Sequence, residues 1–350
     1  HNSNLSNGYM FEEPDQDEIL IQSTKEPLVE IFQHKGSSEC NVDLNDPLCN
    51  FEQLPYKDFR SKFQNDLSSS PDSSFVREAL GKGLLSQDRQ SINPLKFGVI
   101  ASTDTHLGTP GAVDESSFQG HGGAGKSFRS SIPEGLPDDI EFNPGGLAVA
   151  WAEENSRSAI FDAFQRKEVY GTSGPRFIVR FFVGDNLDKN LCKNPDNISY
   201  AYANATPMGG TIASDSLSQP SIFISASADS SIKDQFIEKL QVVKGVVRNG
   251  ELLTTVHDVG VTNAQSKLDI ANCEVTGSGE KAMCSVWNDP NFNSSENAYY
   301  YVRVVANKSC RWSHNLCLQN PEYCEADSDA SIPKVIQERA WTSPIWLETT

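Results

Sequence analysis

The sequence predicts an α/β fold that gives way to a β-rich second half. Strand-like and helix-like apolar patterns alternate from residue 28 to residue 167, as expected when helices cover a sheet. From residue 177 onward, apolar runs with period-two alternation follow one another between turns rich in Gly, Asn and Asp. No run approaches the roughly 18 consecutive apolar residues of a membrane-spanning helix.

The elements follow in order. Residues 1–27 are polar and broken by Pro14 and Pro27. Residues 28–33 (LVEIFQ) read as a short buried strand, and KGSSEC after it as a loop. Residues 55–65 and 74–81 read as helices, with Ser73 or Ser74 placed to cap the second. Residues 96–101 (KFGVIA) form another buried strand, ending in STDTH. Residues 107–146 form a long loop rich in Gly, Ser and Pro, and loops of that length inside a domain tend to be functional or disordered. Residues 147–151 are apolar. Residues 155–167 place Ala159, Ile160, Ala163 and Phe164 on one helical face, capped by Asn155 or Ser156. Residues 177–183 alternate as a strand, with Phe177, Val179, Phe181 and Val183 on one face. Runs at 221–226, 239–248, 252–260 and 298–306 follow as strands, the last dense in β-formers. A helix is predicted near 333–340. In the apolar tail, Trp341, Ile345 and Trp346 are expected to dock on the body.

The 350 residues suffice for a large core or two domains. Lys and Arg number 29 against 47 Asp and Glu, a net charge of −18. Such a chain repels nucleic acid and anionic membranes, and it carries no basic patch to offset this. The eight cysteines form no CxxC pair, so structural disulfides are favoured over a zinc ribbon or redox motif. Eight cysteines leave the pairing open. Sequons occur at Asn4, Asn197, Asn204, Asn293 and Asn307. Cysteines and sequons together point to an extracytoplasmic protein, periplasmic or secreted. The chain opens on His1 with no signal-peptide pattern, so it reads as a processed chain or a fragment.

Several motifs compete for function. Gly120-x4-Gly125-Lys126-Ser127 matches a P-loop string, but its polar approach and the early Pro133 argue for a mobile loop. Asp104 and His106, two apart at a strand end, offer a hard oxygen and an imidazole suited to Zn, Mn or Fe. His1 would chelate copper if its amine is free, the histidine-brace alternative. Lys35 and Glu39 could orient an anion, or simply pair within a loop. His34, His257 and His314 read as structural or exposed, and His121 lies in the glycine-rich loop.

The segments HNSNLSNG, VEIFQHKGSSEC, FGVIASTDTH, NPGGLAVAWAEENSRSAIFDAFQRKEVYGTSGPR, YYYVRVV and ERAWTSPIW, in that order, resemble one large, mainly bacterial family catalogued as a domain of unknown function. Its members resemble the PHP (polymerase and histidinol phosphatase) superfamily, whose domains are distorted β/α barrels with metal clusters. The resemblance implies that residues 1–175 are the C-terminal half of a PHP-like barrel. Residues 176–327 would be a β-rich, sandwich-like domain, and residues 328–350 a docking helix and tail. It implies metal ligands at His1, Asp104 and His106, with Glu30 on a neighbouring strand. Lys35, Glu39 and Arg176 fall in the family's KGSSE and TSGPR strings and are candidates for substrate binding.

The early metal motifs of such a barrel have no counterpart here, so the resemblance implies a partner chain carrying the missing half. The expected function is a metal-dependent hydrolase, of phosphoesterase type, acting on a small anionic substrate. Two or more divalent ions (Zn, Mn or Fe) would activate water, and His121 would carry a proton. The alternative is a secreted binding or structural subunit with an incomplete metal site.

Overall fold

The protein is described here by a computed structural model covering residues 21, 23–42, 46–53, 75–106, 108–118, 124–127, 136–138, 142–319, 321 and 333–349. The predicted helix at 55–65 lies outside these residues, as do His1 and His121.

The first elements are strands β1 (Leu28–Gln33) and β2 (Gly36–Ser37), helix α1 (Val76–Gln90) and strand β3 (Gly98–Ala101). Short strands β4 (Ala124–Ser127) and β5 (Leu136–Asp138) follow, then β6 (Leu147–Ala150), helix α2 (Arg157–Gln165) and β7 (Val169–Thr172). Next come β8 (Ile178–Asp185), helix α3 (Asn197–Asn204), β9 (Ala205–Pro207), β10 (Thr211–Ala213), β11 (Pro220–Ser227), β12 (Ile237–Arg248) and β13 (Glu251–Val261). The chain ends through β14 (Ser266–Asp269), β15 (Glu274–Gly277), β16 (Ala282–Asn288), β17 (Ala298–Ala306), β18 (Ser309–Cys310), helix α4 (Trp312–Gln319), β19 (Val335–Ile336), β20 (Arg339–Thr342) and β21 (Ile345–Glu348).

An eight-stranded sheet dominates. It runs β10-β21-β17-β20-β7-β6, with β12 along the other edge of β17 and β13 beyond it. One face packs on the four-stranded sheet β16-β11-β8-β9. Val179, Phe181 and Val183 of β8 and Ile222 and Ile224 of β11 meet Leu240, Val242, Tyr300, Val302 and Val304 there. The opposite face packs on the three-stranded sheet β2-β1-β3 and on α1. Val243, Tyr299, Tyr301, Trp341 and Trp346 meet Ile31, Phe32, Val76, Leu80, Leu84 and Val99 there. Because β17 lies under cover on both faces, all nine of its residues are buried. Its sequence is therefore apolar or aromatic on both faces instead of alternating, with Arg303 the one charged residue among the nine. Each large apolar side chain so buried contributes about 1.5–3 kcal/mol.

The expected half of a β/α barrel is not what forms. Among the described residues strand outweighs helix, 38% to 20%, and the several sheets close into no barrel. Among the described residues the alternating pattern of the first half yields one βαβ unit: β1 and β3 pair in parallel, with α1 between them in sequence. The other apolar segments, β6 and β7, join the antiparallel part of the large sheet. Periodicity reports which faces are buried, and a strand buried against a second sheet reads like one buried under helices. Strands from before residue 175, from 176–327 and from the tail all enter this one sheet.

The predicted helix near 333–340 is also corrected. That segment forms β19 and β20, whose backbone groups complete ladders with β18, β17 and β7. The tail does pack inward: Trp341, Ile345 and Trp346 are at most 1% exposed. Ser156 caps α2 as expected, accepting the Ala159 N–H at 3.2 Å. Phe75 occupies the N-cap of α1 without a side-chain cap. Carbonyls of the preceding loop serve instead: Val76 N–H donates to Ser38 O and Arg77 N–H to Glu39 O.

Disulfides join Cys40 to Cys49, Cys192 to Cys284 and Cys273 to Cys310. Cys317 is also disulfide-bonded. Among the described residues, no helix is long and apolar enough to cross a membrane.

Candidate functional site at the ends of the parallel strands

The parallel pairing of β1 and β3 sets two chain segments side by side where the strands end. Ser102 N–H donates to Phe32 O at 3.0 Å, extending the ladder by one bond. Beyond it stand Gln33, His34 and Lys35 on one chain and Ser102, Thr103 and Asp104 on the other. Ligand sites gather at such C-terminal strand edges, because the chain there turns away from its own ladder.

Asp104 adopts a left-handed backbone, φ +53°. A non-glycine residue in that region stores strain that surrounding contacts must offset. Those contacts are present. Lys35 Nζ donates to Asp104 Oδ2 at 3.0 Å, and Asp104 N–H donates to Ser102 Oγ. His106 Nδ1 bonds the Asp104 carbonyl at 2.8 Å on the exposed side. Glu30 lies behind, accepting from the Ser102 hydroxyl and, at 3.0 Å, from Gln33 Nε2.

His34 is fully buried. Its Nδ1 lies 2.9 Å from the Thr103 carbonyl and 3.7 Å from Asp104 Oδ2. A carbonyl only accepts, so Nδ1 carries the hydrogen and Nε2 the lone pair. That Nε2 is buried and has no hydrogen-bond partner. Burial lowers the His34 pKa, outweighing the opposing pull of the Thr103 carbonyl and Asp104. The ring is therefore neutral near pH 7. Phe142 meets it edge-on at 5.4 Å.

Of the residues singled out in the sequence, Lys35, Asp104 and His106 come together here. Glu39 does not join them. It is 1% exposed and sits in a buried ionic hub on the inner face of the large sheet. Its Oε1 accepts from Arg77 at 2.7 Å, Arg303 at 2.9 Å and the Tyr301 hydroxyl at 2.8 Å; its Oε2 accepts from Trp341 Nε1 at 2.7 Å. Asp46 takes second bonds from Arg77 and Arg303. Burial raises the Glu39 pKa, but Arg303, Arg77, Arg339 and the Trp341 N–H outweigh it and hold the carboxyl well below its usual range.

Arg176 stands elsewhere too. Its backbone N–H donates to Asp229 Oδ2 at 2.7 Å, and it lines a cavity that none of the strand-end residues line.

His34 is the residue that sequence reasoning passed over. Its position directly before Lys35, at the end of a buried strand, was the available signal. Its orphaned nitrogen is visible only once Thr103 and Phe142 are in place. Lys126 and Ser127 lie in β4, a strand, which is not the helix start that a phosphate-binding loop requires. Two sulfur-containing clusters, Cys40/Asp46/Cys49 and Cys273/Cys310/His314, have their cysteines tied in disulfides and so offer no thiolate.

Comparison with known families decides membership. Residues 1–349 match the family described as Protein of unknown function (DUF3604). The chain belongs to that family. No curated protein matches it, and no solved structure does. The family carries no stated activity, so function must be argued from the site itself.

Proposed function

We propose that this member of DUF3604 is an extracytoplasmic metal-dependent hydrolase of phosphoesterase type, with its centre at the ends of β1 and β3. The observation that carries the reading is His34. Histidine ligands to metals characteristically donate their second nitrogen to a carbonyl or carboxylate, which fixes the tautomer. His34 has that arrangement, with a buried lone pair left over at Nε2. The donor chemistry also fits: imidazole from His34 and His106 and carboxylate from Asp104 suit Zn, Mn or Fe. His1 and His121, outside the described residues, complete the proposed set as ligand and proton carrier. Such an ion lowers the pKa of water and polarises a phosphoryl oxygen.

The chain's own residues supply the rest. Lys35 holds Asp104 in its strained conformation and places a positive charge at the strand ends. An anionic substrate needs that charge, because the protein as a whole carries −18. Glu39 takes no part in substrate binding in this reading, since its carboxylate is committed to the hub.

The test is elemental analysis of the protein as purified without chelator, followed by hydrolysis of p-nitrophenyl phosphate and its diester. Zn, Mn or Fe should be present and turnover measurable. Asp104→Ala and His34→Gln, folded by circular dichroism, should each lose both. Unchanged metal content in both variants would overturn the assignment of ligands. A metal-loaded protein inert to both esters would overturn the reaction class.

A further inference from the structure

A cavity of about 840 Å³ opens between the loop that follows Asp104 and the β14–β15 hairpin. Six acidic side chains line it against two basic ones, Arg176 and Lys233, both exposed. Acidic lining alone says nothing about a ligand, but two of the carboxylates are incompletely bonded. Glu338, just before β20, is 3% exposed. Its Oε2 accepts from the Ser173 hydroxyl, while Oε1 has no partner and faces the cavity that Glu338 lines. Glu115, on the facing loop, accepts the Trp312 N–H at Oε2; its Oε1 is enclosed and unpartnered.

Arg311 and Arg339 favour the charged forms of Glu115 and Glu338 respectively, but neither hydrogen-bonds to them. Arg311 is bound to both oxygens of Glu52, to Ser313 and to the Phe142 carbonyl. Burial and the charge of neighbouring carboxylates push both carboxyl pKa values up, so a cation bridging the two half-bonded groups would stabilise their charged forms.

We propose that this cavity binds one hard divalent cation, Ca²⁺, between Glu115 Oε1 and Glu338 Oε1. The free donors there are oxygens. The cavity's two cysteines, Cys273 and Cys310, are joined in a disulfide, and no histidine lines it among the described residues. That donor set selects hard cations over Zn or Cu. Ca²⁺ accepts six to eight oxygens in flexible geometry, and the cavity has room for the waters that would complete its shell. Both ligands are held. Glu115 is tied to α4 through Trp312 N–H and through Asn315 Nδ2, which donates to its carbonyl. Glu338 is tied to the large sheet by the Ala306 N–H. The ion would bridge the loop after Asp104 to the central sheet.

The site is separate from the strand-end centre, so its test is too. Tb³⁺ replaces Ca²⁺ at oxygen sites and emits when excited through a nearby indole, here Trp312. The full chain should show saturable sensitised emission that Ca²⁺ displaces, with a Kd near about 0.1–1 mM, as for extracellular calcium modules. Ca²⁺ should also raise its melting temperature. Glu115→Gln and Glu338→Gln should each weaken Ca²⁺ at least about tenfold, because affinity follows ligand charge count. Asp104→Ala should leave Ca²⁺ affinity unchanged, which separates this site from the hydrolytic one. A cooperative melt confirms that each variant is folded, and either folded variant suffices. Wild-type affinity in a folded Glu115→Gln or Glu338→Gln protein overturns the proposal. So does the absence of any saturable Ca²⁺ effect on the wild-type chain.

Discussion

Replacing Glu39 by glutamine tests whether the ionic hub holds the two inner layers together. The substitution keeps the shape and removes the charge. Three guanidiniums (Arg77, Arg303, Arg339) surround two carboxylates (Glu39, Asp46), a local balance of 3 − 2 = +1. Glu39→Gln makes it 3 − 1 = +2, with all three arginines at most 2% exposed. One end of the new amide must also present N–H groups, either to the Trp341 N–H or to the cluster of arginines and Tyr301. Breaking a buried pair by removing one partner costs about 3–5 kcal/mol. At roughly 2.1 cal/mol/K of unfolding entropy per residue, 350 residues lower the melting temperature by about 4–7 °C for that loss.

Calorimetry on both proteins gives the number, and pH gives the cause. The folded Glu39 carboxyl is held below its usual range, so its stabilisation is fully present above the unfolded value of about 4.3. It is lost as pH falls below that value towards the folded one. The gap between wild type and Glu39→Gln should therefore narrow on acidification from about pH 5 to pH 3. A gap below about 1 kcal/mol at pH 7 would refute the reasoning, because surface pairs are worth no more. So would a large gap that stays constant with pH.

Two further predictions concern packing and covalent ties. A Cβ on Gly146 would come within 2.2 Å of the Thr172 carbonyl and 2.8 Å of Ala101 Cβ, where the small sheet crosses the large one. Gly146→Ala should cost at least about 1–3 kcal/mol in chemical denaturation; a neutral result would mean that the layers can separate freely. Cys192 and Cys284 close a loop of 92 residues, so replacing both by serine should cost about 4–5 kcal/mol on the chain-entropy account. An unchanged denaturation midpoint would show that this loop is already constrained in the unfolded chain.

The sequons show how far composition carries. Asn204 and Asn293 are exposed, consistent with attachment of a glycan. Asn307 is 6% exposed, and its side chain bonds the Phe236 N–H and the Asp234 and Lys308 carbonyls. A three-residue pattern cannot register that burial.

Local pattern was enough to place β1, β3, α2, β8, β11, β12, β13 and β17, because each either repeats apolar residues on one face or forms a short run dense in apolar and β-forming residues. It also marked Trp341, Ile345 and Trp346 as inward-facing, and Asp104 and His106 as neighbours at a strand end. It could not say what lies across from each buried face. Whether residues 147–172 enter a barrel or an antiparallel sheet depends on pairing with β20, about 170 residues further along the chain. The same holds for the charged residues. Glu39 looks like a binding residue until Arg77, Arg303 and Trp341 close around it, and His34 looks inert until Thr103 takes one nitrogen and leaves the other bare. Sequence determines which side chains leave water, because that depends on local chemistry and spacing. Tertiary structure decides what each of them meets, because those partners arrive from distant segments.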